Sequence, residues 1–147
     1  MIEINIAQQT LNFKGETYSI STAKNGIGEK EGSFCTPTGR FKVAEKIGDG
    51  LEVGAVLAGR VATGEVFSQA LLTKNPDRDW ILTRILWLDG VEKHNQNTKE
   101  RYIYIHGAPD EALMGVPESK GCIRMHNKEL IELFDAVQVG EKVVIIK

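Results

Sequence analysis

The stretch that decides how this chain is read is Arg101–Met125, RYIYIHGAPDEALMGVPESKGCIRM. It opens on Tyr102-Ile103-Tyr104-Ile105, an alternation of aromatic and β-branched residues that suits a strand. The strand is expected to stop at His106-Gly107. A loop punctuated by Pro109, Gly115, Pro117 and Gly121 follows and ends on Ser119-Lys120-Gly121-Cys122-Ile123-Arg124. Turn residues at that density let the loop fold back, which can bring Cys122 within hydrogen-bond reach of His106. That juxtaposition has a chemical meaning. Only the thiolate attacks, and a free cysteine has a pKa of about 8.5, so a nucleophilic cysteine needs a base near neutral pH. The competing reading of a free cysteine is a small packing residue.

The residues around Cys122 fill out the catalytic reading. Cys122 is the expected nucleophile and His106 the general base that takes its proton and returns it to a leaving amine. Gly121 permits backbone conformations and a close substrate approach that other residues forbid. The N–H groups near Gly121 and Cys122 are candidate donors to an oxyanion. Ser119 is expected to hydrogen-bond within the loop. Arg124, two residues past the cysteine, shares its face if the segment is extended. It either pairs with a substrate carboxylate or ties the loop down, and both readings stay open.

Outward from this stretch the chain reads as strands. Ile2, Ile4 and Ile6 alternate with polar residues, Leu11 and Phe13 continue the period, and Gly15-Glu16 turns into Thr17–Ser21 as a hairpin. Lys24–Ser33 is glycine-rich and charged, an exposed loop. Thr36-Pro37-Thr38-Gly39 is a tight turn into a strand over Arg40–Lys46. Gly48–Gly64 sets glycines in an apolar background, which predicts bent or irregular strands. Lys74–Asp79 is a loop, Trp80–Leu88 a strand, Asp89-Gly90 a turn, and Val91–Glu100 a polar surface excursion. Asn127 is placed as an N-cap before Leu130, Leu133, Phe134 and Val137, which recur at helical spacing. Gly140 breaks the chain before a closing strand at Lys142–Lys147. Many strands and one clear helix predict a mainly β domain, a sandwich or barrel-like sheet with the helix packed on it. No linker or repeat divides residues 1–147, which read as a single domain.

Composition narrows the function classes. The chain has 147 residues, 41% hydrophobic and 26% charged, with net charge −2, so nothing points to nucleic acid as a partner. No apolar run is long enough to span a bilayer. Cys35, within Ser33-Phe34-Cys35-Thr36, reads as a packing residue. Trp80 and Trp87 read as core or as groove walls. His94 reads as solvated. His126 with His106 and His94 lacks paired close-spaced ligands, so no metal site is expected.

His-Gly followed by S-x-G-C-I-R-M, with the upstream segments Thr36-Pro37-Thr38-Gly39-Arg40-Phe41 and Thr83-Arg84-Ile85-Leu86, resembles the L,D-transpeptidase catalytic domain. That is a bacterial cysteine enzyme family acting on peptidoglycan peptides. The resemblance spans most of the chain in the family's order. It implies a β-rich fold with the site in a surface groove, and no cofactor. It also implies that the backbone carbonyl of Gly107 orients His106, so that no Asp is required. The donor it implies is a stem tetrapeptide ending in D-alanine, or a muropeptide carrying one. One position departs from the pattern: Lys120 stands where the family usually has His before Gly-Cys. This position is assigned to site support, and His106 remains the only proposed base.

Three alternatives accompany this reading. A sortase-like transpeptidase also orders His before Cys and uses an Arg, but S-x-G-C-I-R-M argues against it. A catalytically idle module that binds cell-wall peptides would fit Lys120 but not the retained Cys122 and His106. Within the family, hydrolysis (L,D-carboxypeptidase activity in murein recycling) is expected over 3-3 cross-linking. That expectation comes from Met1-Ile2-Glu3-Ile4, which reads as a strand without the basic and apolar regions of a signal peptide. It places the protein in the cytoplasm, or in the periplasm if a leader was removed.

Overall fold

The alternation at the N-terminus is realised as burial: Ile2 and Ile4 have no solvent exposure, while Glu3 between them is exposed. The structure, a computed structural model, describes residues 1–147. Its strands are β1 (Ile2–Asn5), β2 (Thr10–Phe13), β3 (Glu16–Ser21), β4 (Gly39–Ile47), β5 (Ala55–Ala58), β6 (Val61–Val66), β7 (Ile81–Gly90), β8 (Tyr104–Gly107), β9 (Ile123–Met125) and β10 (Lys142–Ile146). Two helices, α1 (Gln69–Lys74) and α2 (Asn127–Ala136), and a short 3-10 turn at Lys93–Asn95 complete it.

The strands form one sheet in the order β4-β10-β1-β2-β3-β9-β8-β7-β5-β6, and β7 also pairs with β4. That last pairing closes the sheet into a barrel and leaves β5–β6 as a hairpin attached to β7. Closure satisfies the backbone groups that an open edge would expose. Of the two architectures expected, the barrel is the one formed. Two pairings are parallel, β1 with β10 and β8 with β9. The second places the two ends of the Arg101–Met125 stretch side by side.

Helix α2 follows from its apolar period. Leu130, Leu133 and Phe134, with Val137 at the C-cap, join the same buried core as Ile2, Ile4, Ile105, Ile123 and Met125. Burying each such side chain contributes about 1.5–3 kcal/mol. The helix start differs from expectation. His126 holds the N-cap position without a side-chain hydrogen bond, and Asn127 is the first helical residue. Asn127 is buried because its amide is committed to tertiary partners rather than to the helix's own N–H groups.

Other boundaries shift for tertiary reasons. Pairing with β7 and β9 carries β8 through His106 and Gly107, while Tyr102 drops out of the strand with a left-handed φ of 58°. Strand β7 runs through Asp89-Gly90 because both pair with β4. The Val91–Glu100 segment is not a surface excursion throughout, since Asn95 and Thr98 have no exposure. Asn95 Nδ2 donates to the carbonyls of Thr38 (3.2 Å) and Arg40 (3.0 Å), and His94 Nε2 donates to Thr38 (2.9 Å). His94 is exposed, as expected of a polar segment, and its ring also braces the Thr36–Gly39 turn. Helix α1 has no apolar period to betray it; it starts because Ser68 Oγ accepts from the Leu71 N–H.

Candidate active site

Strands β8 and β9 run parallel with Ile105 beside Ile123, His106 beside Arg124 and Gly107 beside Met125. Ile105, Ile123 and Met125 face the core. Side chains alternate along a strand, so Tyr104, His106, Cys122 and Arg124 share the opposite face. Cys122 lies two residues before Arg124, which puts its Cβ about 8 Å from that of His106 at ordinary strand spacing. The fold-back expected of the loop occurs.

The hydrogen bond expected between the two does not. The Cys122 Sγ–H donates to the Tyr102 carbonyl at 3.2 Å, and Sγ accepts from the Tyr104 N–H at 3.3 Å. The reason is backbone geometry: the left-handed turn at Tyr102 presents its carbonyl to the thiol. Burial pushes the Cys122 thiol up to about 12, with the Asp79 carboxylate adding to the rise and the Tyr104 N–H opposing it. The thiol is thus protonated at rest.

His106 is held differently. Its Nδ1 lies 2.6 Å from the carbonyl of Gly107. A carbonyl only accepts, so Nδ1 carries the proton and Nε2 keeps its lone pair. Burial lowers the His106 pKa, and the Arg124 charge lowers it further; the Gly107 carbonyl and Asp79 act against that. The imidazole is neutral and fixed in one tautomer.

Gly107 is a glycine because nothing else fits. A Cβ there would meet Asn127 Oδ1 at 2.1 Å and the Leu82 carbonyl at 2.6 Å. Asn127 is itself locked: its Oδ1 accepts from Thr83 Oγ1 (2.7 Å) and its Nδ2 donates to the Ala108 carbonyl (2.9 Å). Thr83 Oγ1 in turn accepts from the Gly54 N–H at 3.0 Å. Thr83 reaches both because it sits at a bulge of β7 with φ 76°, a strained conformation for a β-branched residue.

The cysteine loop is pinned from two sides. Ser119 Oγ donates to the Cys122 carbonyl (2.5 Å) and accepts from the Gly121 N–H (3.2 Å). Ser119 therefore bonds within the loop, as its sequence context suggested. The Gly121 N–H is consequently engaged, which removes one of the two expected oxyanion donors. Thr36 Oγ1 donates to the Gly121 carbonyl at 2.9 Å. Gly121 adopts φ 127°, and a Cβ on it would lie 3.2 Å from the Cys35 carbonyl.

Cys122 opens into a cavity of about 280 Å³ shared with Phe34, Leu57, Arg60, Asp79, Arg101, Tyr102 and Lys120. A second cavity of about 490 Å³, lined by Leu72, Trp80, Pro109, Glu111 and Arg124 among others, adjoins it through Asp79 and Lys120. Arg124 opens into this second cavity, and its Nη2 pairs with Asp79 at 3.3 Å. Lys120 is exposed at the rim between the two. Trp80 packs edge-to-face on Phe67 in a small core and also lines the second cavity; Trp87 lies beneath the Arg60 guanidinium. Cys35 and Cys122 are both free thiols. Cys35 is half-buried against Gly28 rather than in the core.

Sequence reasoning missed several residues here. Asp79 is the carboxylate at the junction of the cavities, and in the sequence it is one more charge in a polar loop. Thr83 and Asn127 act through a contact spanning 44 residues. Arg101 reaches the site from just outside the strand it precedes.

The family profile described as "YkuD: L,D-transpeptidase catalytic domain" matches residues 1–145. Among curated proteins, "Putative L,D-transpeptidase YkuD" of Bacillus subtilis (strain 168) is 54% identical over 41 residues, which is 28% of this chain and 25% of that protein. The aligned part thus spans a quarter of that relative. Among solved structures, an L,D-transpeptidase from Mycobacterium smegmatis superposes with TM-score 0.62 at 19% identity, over 99% of this chain and 58% of that one. L,D-transpeptidase 3 from Mycobacterium tuberculosis, in complex with a faropenem-derived adduct, gives TM-score 0.60 at 17% identity, over 99% and 59%. At those identities the structures establish the fold, a barrel-like sheet with one substantial helix. The profile match covers nearly the whole chain, including the β8–β9 pair that carries His106 and Cys122, and on that ground the chain belongs to the L,D-transpeptidase catalytic domain family.

Proposed function

We propose that this chain is a cysteine acyl-transfer enzyme acting on peptidoglycan stem tetrapeptides at the L,D bond before a terminal D-alanine. The observation that supports it most is the parallel β8–β9 pair, which sets Cys122 and His106 on one face while the Gly107 carbonyl leaves Nε2 as the free lone pair. The proposed reaction requires the Cys122 side chain to leave the Tyr102 carbonyl and rotate to another staggered well that turns Sγ toward His106.

In the proposed reaction His106 Nε2 takes the Sγ proton as sulfur bonds to the carbonyl carbon of the third residue. The resulting oxyanion collapses, the carbon–nitrogen bond breaks, and the D-alanine amine leaves with the proton from His106. A thioester remains on Cys122. An acceptor then gives its proton to His106 and attacks the thioester; the Cys122 sulfur leaves and is reprotonated. Water as acceptor gives a tripeptide, and a second stem peptide's amine gives a cross-link. Both cavities are open to solvent, so water is always present at the thioester, and hydrolysis is the default wherever no amine is held in place.

The test is mass analysis of products from a stem tetrapeptide, alone and with a diamino acid acceptor. Release of D-alanine with a transient acyl adduct on Cys122 is expected, and the adduct is absent in Cys122→Ala. His106→Gln should lower kcat by about 10²–10⁴-fold. Binding without turnover would overturn the proposal in favour of an idle binding module. Predominant dimers would keep the enzyme and replace the hydrolytic branch with cross-linking.

A further inference from the structure

The charged residues around the cavity that holds Cys122 are mostly cationic. Arg60, Arg101 and Lys120 line it against a single carboxylate, Asp79. The cations are not equivalent. The Arg60 guanidinium lies over the neighbouring rings of Trp87 (4.9 Å) and Tyr102 (4.8 Å), and it donates to Tyr104 Oη at 3.2 Å. Asp79 is already paired with Arg124. Arg101 and Lys120 have no ion-pair partner within 4.0 Å among the salt bridges of the structure.

Arg101 stands out because its setting is costly. Its side chain leaves solvent to meet neutral acceptors: the carbonyls of Gly28 (3.1 Å) and Cys35 (2.8 Å), and more distantly Ser33 Oγ (3.5 Å). A guanidinium has five N–H donors, so these three partners leave donors over. Burial lowers the Arg101 pKa, and the Cys35 and Cys122 sulfurs are among the groups that oppose the shift. Glu29 and Glu31 also act on it from a distance. A partly desolvated cation without a carboxylate of its own is primed for an anion of fitting geometry. Arg101 and Lys120 occur together again around an adjoining cavity of about 280 Å³, where Glu31 and Glu100 supply the opposing charge. On the Cys122 side only Asp79 does so.

Resting on the acyl-transfer reading above, we infer that Arg101 and Lys120 form a carboxylate subsite beside Cys122 that binds the free C-terminal carboxylate of the peptide donor. A peptide whose last residue is seated there presents its penultimate carbonyl to the thiol, so the site selects cleavage of one terminal residue. This gives Lys120 a function that a neutral imidazole in its place would not serve: a permanent cation on a flexible stem, opposite the fixed fork of Arg101.

The inference is tested with two substrates that differ only at the C-terminus, a stem tetrapeptide acid and its carboxamide. The wild-type enzyme should prefer the acid by about 10–100-fold in kcat/KM, the range of a charge-assisted hydrogen-bonded contact. In Lys120→Gln and Arg101→Gln the acid-to-amide ratio should shrink toward unity, with the larger loss of rate on the acid. Arg101 also supports the 28–35 loop, so Arg101→Lys serves as the variant that keeps the charge while losing the fork. It should retain an intermediate preference. A purely structural role for Arg101 would lower both substrates equally and leave the ratio intact, which overturns the inference. Equal turnover of acid and amide by the wild type overturns it too, while leaving the acyl-transfer reading standing. Absence of turnover on both removes that reading and the subsite with it.

Discussion

Replacing Gly107 by alanine exchanges one hydrogen for a methyl group at the most constrained point of the site. The new Cβ would lie 2.1 Å from Asn127 Oδ1 and 2.6 Å from the Leu82 carbonyl oxygen. The two obstacles yield differently. Leu82 is backbone of β7, registered against Gly107 in the barrel, and relieving it means parting paired strands. Asn127 is a side chain, but swinging it away breaks its bonds with Thr83 Oγ1 and the Ala108 carbonyl. Overpacking costs about 1–3 kcal/mol. Leaving buried partners unpaired costs about 1–3 kcal/mol for each group. Together the expected destabilisation is about 3–9 kcal/mol, or a fall in Tm of about 10–30 °C for a domain of this size. The assay is thermal unfolding followed by circular dichroism, with Gly15→Ala as the control. Gly15 has φ 82° but nothing within 4 Å of its would-be Cβ, so it carries conformational strain without crowding. Its cost should be only about 1–2 kcal/mol. If Gly107→Ala melts within about 3 °C of the wild type, or no lower than Gly15→Ala, crowding does not hold this segment and the Asn127 anchor is not what fixes the His106 ring.

The alkylation rate of Cys122 should climb about tenfold per pH unit between pH 7 and 10 without levelling, because its thiol is pushed up to about 12; a plateau near neutrality would reveal a preformed thiolate. At pH 8, Asp79→Asn should speed that alkylation several-fold and Arg124→Gln should slow it, since the first removes a charge that opposes the thiolate and the second one that favours it; shifts of the same sign would contradict the arrangement. His106 has its pKa lowered by burial, so the unfolded chain binds a proton at a pH where the folded one does not. Its contribution to stability is present above about pH 6.5 and is lost as pH falls, by up to about 1.4 kcal/mol per pH unit; His106→Gln should flatten the acid side of the Tm profile. Thr36→Val should cut turnover by about tenfold or more, because its hydroxyl fixes the Gly121 carbonyl beside Cys122, and should lower Tm by about 5–15 °C, because the Ala23 N–H loses its acceptor as well; unchanged kcat would reduce Thr36 to packing.

What was legible in the sequence is what local chemistry dictates. Alternation announced β1, the apolar run Trp80–Leu88 announced β7, helical spacing announced α2, and the crowding of turn residues before Gly121-Cys122 announced that the loop folds back. What was not legible depends on distant partners. Asn127 has the chemistry of an N-cap, and only the arrival of Thr83 and Ala108 reassigns its amide. Asn95 sits among polar neighbours and reads as surface, yet it is buried because it satisfies two carbonyls of the Thr36–Gly39 turn and its following strand. Tyr102 belongs to an alternating run that ought to be strand throughout. Its left-handed φ goes with two tertiary contacts, Arg101 on the Cys35 carbonyl and Cys122 on the Tyr102 carbonyl, neither of which a local pattern carries. The site's residue types were therefore readable, while the contacts that set its resting state were not.

The resting state itself bears on how the proposed reaction starts. Burial disfavours the thiolate at Cys122 and the imidazolium at His106, so each charge alone is costly. Moving the proton from one to the other creates both charges at once and adjacent, where their attraction offsets much of the desolvation. That compensation is available only when Sγ has turned from the Tyr102 carbonyl toward Nε2. A substrate that occupies the space before Tyr102 and offers a carbonyl carbon to sulfur both displaces the resting hydrogen bond and consumes the thiolate as it forms. The neutral pair is then an advantage. A thiol that ionises only when a peptide is seated resists oxidation and stray electrophiles in the free enzyme. The left-handed φ at Tyr102 and the burial of His106 fit that reading: the proposed nucleophile and base stand on one face of adjacent strands without being hydrogen-bonded at rest.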